Sequence, residues 1–280
     1  MTDAAPSAHT SDRSAVAGVR ATTVETHVGR VEVRRGGLGS DVVYLHSAAG
    51  EGEGLQLLDE LASTFEVFAP MFPGYGASEG IELIDDMEDV AFHLLDLFER
   101  LHLAQPTVVG HSLGAWMAVE LAVRYPDRLG ALVLVNPVGL HIDGAPIKDI
   151  FGRKLDELAA DFFADQSHPM AQMMTLLRDA EPGALPFEMV RPLVQTMAAT
   201  ARLAWDPYLH NPKLHKRLWR VTVPALIVRG AQDTLVPPAH AAAYAAAIDG
   251  ARLVEVDGAA HLLAMEKPAE LAALVRGFAT

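Results

Sequence analysis

The chain has 280 residues, half of them hydrophobic, which suits one large domain with an excursion or two smaller ones. Acidic residues outnumber basic ones 36 to 22, for a formal net charge of −14, and this disfavours nucleic acid and anionic membrane surfaces as partners. No cysteine is present, so disulfides, thiolate catalysis and sulfur-ligated metals are excluded together, and a covalent nucleophile must be an oxygen or a nitrogen.

Residues 1–18 are small and polar, lack the basic start and continuous apolar run of a secretory signal, and read as a disordered leader. No apolar run approaches the roughly 20 residues needed to span a bilayer, so a cytoplasmic protein with no membrane partner is expected. Two alternating or β-branched segments, Val19 to Val28 and Val31 to Arg35, predict a hairpin turned at Gly29. Val42 to Leu45 follows as a short buried strand.

The pattern then alternates. Helices are expected at Leu55 to Ser63, Asp85 to Leu101 and Leu113 to Arg124, interleaved with strands at Phe65 to Ala69, Thr107 to Val109 and Leu129 to Val135. Val- and Leu-rich strands alternating with amphipathic helices imply a mostly parallel, doubly wound sheet covered on both faces. Between Val138 and Trp219 the alternation stops in favour of a helical pattern broken by prolines, which reads as an inserted helical cap. It returns with strands at Ala225 to Val228 and Leu253 to Val256, and helices at Ala239 to Ile248 and Ala269 to Phe278. The expected organisation is a leader over 1–18, an α/β core over 19–137 and 220–280, and the cap over 138–219.

Gly110-His111-Ser112-Leu113-Gly114 lies between a predicted strand and a predicted helix, the setting of a G-x-S-x-G elbow. A nucleophile on so tight a turn needs neighbours without bulk, hence the two glycines, and it sits at a helix N-terminus that favours developing negative charge. A serine hydroxyl needs a base, and the base needs a partner that fixes its tautomer. His261 follows the last predicted strand and Asp233 the one before it, so both reach the carboxyl edge of the sheet, where ligands bind in open α/β folds. Asp257 is a rival acid but precedes a Gly-Ala-Ala turn that it more naturally caps, and the end of the preceding strand carries Asn136, which holds no charge.

Taken together, the elbow and the chain order Ser112, Asp233, His261 resemble the α/β-hydrolase superfamily over nearly all of the chain outside the leader and cap. Three stretches add to the resemblance: His46-Ser47-Ala48-Ala49-Gly50 as an oxyanion turn, Phe72 to Ser78 as a P-G-x-G-x-S loop, and Val223-Pro224-Ala225 with Asp233. The resemblance implies an α/β-hydrolase fold and an oxyanion hole formed by the backbone N–H groups of Ala48 and Leu113. Ser47 stands where the family usually has glycine, and either alters the turn or offers a hydroxyl to the substrate. His111 and Trp205 are also assigned to substrate contact.

Met170, Met173 and Met174, with Phe162, Phe163, Trp205 and Tyr208, could line an apolar pocket, although packing of the cap on the core explains them equally well. The acids from Asp85 to Asp89 suit a helix start, and neither metal nor cofactor is expected. The leading expectation is a serine hydrolase acting on an ester or lactone of a small hydrophobic molecule. Carbon–carbon bond hydrolysis of the meta-cleavage type is an alternative, although Leu262 replaces the tryptophan of those enzymes. A ligand-binding receptor that keeps the fold is another, and homo-oligomerisation is left open.

Overall fold

A computed structural model describes residues 18–178 and 186–279, except the side chain of Met189. The expected leader therefore falls almost wholly outside the described residues.

The chain opens with the hairpin β1 (Arg20–Thr26) and β2 (Gly29–Gly36), followed by β3 (Asp41–Leu45), α1 (Gln56–Ala62), β4 (Glu66–Pro70) and α2 (Met87–Arg100). Next come β5 (Thr107–His111), α3 (Leu113–Arg124) and β6 (Ala131–Val135). The chain then leaves the sheet for α4 (Leu155–Phe162), α5 (Pro169–Arg178) and α6 (Phe187–Ala204). It re-enters with β7 (Ala225–Gly230), α7 (Pro238–Ala247), β8 (Arg252–Val256), the single turn α8 (Leu263–Glu266) and α9 (Pro268–Ala279).

Eight strands form one sheet in the order β1-β2-β4-β3-β5-β6-β7-β8. The first two pairings are antiparallel, and every pairing from β4 to β8 is parallel. Strands in a parallel sheet are buried on both faces, and their alternating side chains here feed two cores. Val43, Leu45, Val108, Leu132, Leu134 and Ile227 pack beneath α2, α3 and α7. Val42, Tyr44, Val109, Val133, Val135 and Val228 pack beneath α1 and α9. The predicted strands and core helices are all present, with ends moved by one or two residues.

The acids of 85–89 serve local structure. Asp86 caps α2 by accepting from the backbone N–H groups of Glu88 and Asp89, while Asp85 is paired with Arg202 of α6. Helix α3 is buried along its length up to Val123, which is why its sequence is apolar on all sides rather than along one stripe. Among the described residues, no helix is long and apolar enough to cross a membrane.

Candidate active site

Parallel strands bring all of their exits to one edge, and three of the exits carry Ser112, Asp233 and His261. Ser112 is the single residue between β5 and α3, at φ 53 and ψ −108. A left-handed backbone at a non-glycine residue costs on the order of 1–3 kcal/mol, and its surroundings must impose it. Here the N–H of Ser112 is held by the carbonyl of Val135 at 2.8 Å. A side chain at Gly110 would lie 2.4 Å from the Gly114 carbonyl oxygen, and one at Gly114 would lie 2.1 Å from that of Leu45. The two glycines let the turn close on itself and let α3 start against the exit of β3.

Asp233 follows β7 and His261 follows β8. His261 Nδ1 lies 2.9 Å from Asp233 Oδ2, and His261 Nε2 lies 2.9 Å from Ser112 Oγ. A carboxylate only accepts, so the proton of the neutral ring sits on Nδ1 and Nε2 is left to accept from the serine hydroxyl. The other Asp233 oxygen accepts from the N–H groups of Leu235 and Val236, both at 2.9 Å, which locks the carboxylate plane. All three side chains are buried. Asn136, at the end of β6, accepts from Gly230 N–H and donates to the carbonyls of Ala260 and His261. It therefore orients the loop that carries the imidazole. Asp257 lies elsewhere, bonded to Gln232.

The turn after β3 runs alongside the elbow. Leu45 pairs with Gly110 in the sheet register, so Ala48 and Leu113 each stand three residues beyond a paired position on adjacent strands. Leu113 opens α3, where first-turn N–H groups have no intrahelical acceptor.

Three expectations are corrected. Ser47 offers no hydroxyl to a substrate: its side chain is buried, donates to Glu51 Oε2 at 2.5 Å and accepts from Ala49 N–H. His111 does not face a substrate either, being fully buried with Nδ1 2.8 Å from Glu51 Oε1 and Nε2 2.8 Å from the His261 carbonyl. Trp205 is 63% exposed just beyond α6, packed on Phe151 at 5.2 Å between ring centroids.

Phe162, at the end of α4, faces the site, its ring centroid 6.0 Å from that of His261. Phe163 instead stacks on His168, and Tyr208 bonds to the backbone at Lys148 and Ile150. Met170 and Met174 pack against the cluster of Ala159, Phe163, Ala171 and Leu262, whereas Met173 is exposed. Packing accounts for most of this group. Glu51 was missed altogether. Its only signal in the sequence is an acid placed just beyond the oxyanion turn.

A carboxylate, an imidazole and a hydroxyl in one hydrogen-bonded chain, carried on the exits of a parallel sheet, define a protein built like an α/β hydrolase. The chain belongs to the alpha/beta hydrolase fold family, whose profile matches residues 42–268. The acetyltransferase component of the acetoin cleaving system of Cupriavidus necator is 27% identical over 251 residues, covering 87% of this chain and 64% of that one. The chain thus spans less than two thirds of that relative's length. Its fold is similar to naproxen esterase from Bacillus subtilis, with a TM-score of 0.73 at 20% identity over 94% of this chain and 92% of that one. It is likewise similar to a 2-hydroxy-6-oxo-6-phenylhexa-2,4-dienoate hydrolase from a Rhodococcus species, with a TM-score of 0.73 at 22% identity over 94% and 100% of the two chains.

Proposed function

We propose that the protein is a serine hydrolase that cleaves a carboxylic ester or lactone of a small hydrophobic molecule through an acyl-enzyme on Ser112. The observation that carries this reading is the unbroken relay from Asp233 through His261 to Ser112, with 2.9 Å at each step. His261 Nε2 takes the hydroxyl proton as Ser112 Oγ adds to the carbonyl carbon. The oxyanion that forms is held by the N–H groups of Ala48 and Leu113, each worth about 2.7–4 kcal/mol in sites of this kind. His261 then returns the proton to the departing alkoxide. Water, deprotonated by the same ring, releases the acid.

The excursion that carries α4 to α6 is read as the cap that shapes the substrate space. Phe162 beside His261, and Leu262 packed with Phe163 and Ala171, support an apolar surrounding for the histidine. Leu262 also favours ester over carbon–carbon bond cleavage, since leucine and not tryptophan follows the histidine. Turnover of p-nitrophenyl esters, lactones and vinylogous diketones by the parent and by Ser112→Ala tests the reading. Ester or lactone hydrolysis that disappears in the variant is expected, and equal hydrolysis by both would refute it.

A further inference from the structure

Glu51 and His111 are buried beside the relay and take no part in the steps above. Their hydrogen-bond partners suit a charged pair. Glu51 Oε1 faces Tyr44 Oη, Ser47 N–H and His111 Nδ1, all at 2.8 Å, and Oε2 takes the Ser47 hydroxyl at 2.5 Å. Ser47 N–H can only donate, and the Tyr44 and Ser47 hydroxyls and His111 Nδ1 can each donate as well, so an ionised carboxyl here is met by four donors. His111 Nε2 faces the carbonyl of His261 at 2.8 Å, and a carbonyl can only accept, so that nitrogen carries a hydrogen. With an ionised Glu51 opposite Nδ1, the second nitrogen carries one as well.

We propose that Glu51 and His111 form a buried carboxylate–imidazolium pair that acts as a positioning device, fixing the oxyanion turn against the histidine loop. The proposal rests on the reading of Ser112 as nucleophile. One pair reaches three of the four segments that supply the reaction: Glu51 grips the amide and hydroxyl of Ser47, next to Ala48. His111 precedes Ser112 in the chain and holds the backbone of His261. Charge suits this role because charge-assisted hydrogen bonds are shorter and roughly twice as strong as neutral ones.

Burial works against ionising either group. For Glu51 it is outweighed by the hydrogen bond and charge of His111, with help from His46 and Ser47, leaving the carboxyl down at about 2. For His111 it is outweighed by the hydrogen bond and charge of Glu51, then by the His261 carbonyl and Asp233, so its pKa is raised. Besides the His261 ring, whose centroid lies 5.8 Å from that of His111, the titratable neighbours are Tyr44, whose ionisation is pushed far up by burial, and His46, which burial holds toward neutrality. Neither competes for the charge.

The test uses the full chain labelled with ¹⁵N in histidine, with the His111 signals assigned by their loss in His111→Gln. At neutral pH the His111 ring is expected to show two protonated nitrogens, a state that Glu51→Gln abolishes. Turnover and the rate of fluorophosphonate labelling are measured on the same proteins. Both Glu51→Gln and His111→Gln are expected to lower kcat roughly 10- to 100-fold, the scale of a small misplacement of reacting groups, with KM within about twofold. His111→Gln serves if Glu51→Gln fails to fold, since its amide can still donate to the His261 carbonyl. A neutral His111 ring in the parent would overturn the pair. A doubly protonated ring with an unchanged kcat in the variants would overturn the positioning role. If the parent neither turns over nor labels at Ser112, the hydrolase reading falls and the positioning role with it, while the nitrogen signals still decide whether the ion pair exists.

Discussion

The backbone N–H of Leu262 donates to the carbonyl of Phe162 across 2.9 Å, which stitches the end of α4 to the residue after His261. Glu266 reinforces the stitch: one carboxylate oxygen accepts from the N–H groups of Ala164 and Asp165, and the other from Ala260 N–H at 2.7 Å. The helical excursion and the imidazole therefore share an anchor. Glu266→Ala leaves those N–H groups to find water and is expected to cost roughly 1–3 kcal/mol of stability. Chemical denaturation gives that loss, and kcat is expected to fall with it as the loop before His261 loosens.

Two glycines make a paired prediction about backbone approach. Gly114→Ala places a methyl group 2.1 Å from the Leu45 carbonyl oxygen and 2.5 Å from its carbon, atoms of a central strand that cannot step aside. A loss of about 3 kcal/mol or more is expected, with poor recovery of folded protein. Gly277→Ala, inside α9 with no atom within 4 Å of the added carbon, is expected to raise stability by about 0.5–1 kcal/mol. Thermal midpoints of the two variants decide both signs.

Asp233→Asn keeps an acceptor for the N–H groups of Leu235 and Val236 but can present an amide donor to His261 Nδ1. The ring must then favour its other tautomer, with its hydrogen toward Ser112. A loss in kcat of roughly ten-thousand-fold is expected, with little change in KM or in the thermal midpoint. Steady-state kinetics on any ester that the parent hydrolyses makes the comparison.

His93 links stability to pH. Burial, reinforced by the charge of His27, pushes its pKa down to about 4. The unfolded chain binds this proton below about 6.5, whereas the folded chain resists until about 4. Stability is therefore full above the upper value, falls as the pH drops between the two, and levels off beneath the lower one. The depression corresponds to at most about 3 kcal/mol. Denaturation at pH 7, 5.5 and 4.5 is expected to show the decline, and His93→Phe is expected to flatten part of it. His46 and His240, also held toward neutrality by burial, retain the remainder.

Legibility in the sequence followed the range of the physics involved. Strand and helix positions were readable because Val42 to Leu45 and Leu132 to Val135 are short apolar runs bounded by turn residues, and α2 has a capped start at Asp86. The meeting of Ser112, Asp233 and His261 was readable because each follows a strand of a parallel sheet, whose exits share one edge. The orientations of Ser47 and His111 were not, because they depend on Glu51 meeting both residues where the exit of β3 crosses the start of α3. Trp205 misled for a related reason: the region around α6 has no strand register to relate it to the sheet edge. The turn α8 was passed over because four residues carry no periodicity.

The relay itself is tested most directly by treating the folded protein with a fluorophosphonate and locating the adduct by mass spectrometry of its peptides. One covalent phosphonyl group on Ser112 is expected, with no adduct on the protein carrying Ser112→Ala and much slower labelling with His261→Ala. An unlabelled Ser112 in folded parent protein, or equal labelling of the Ser112→Ala variant, would contradict the account.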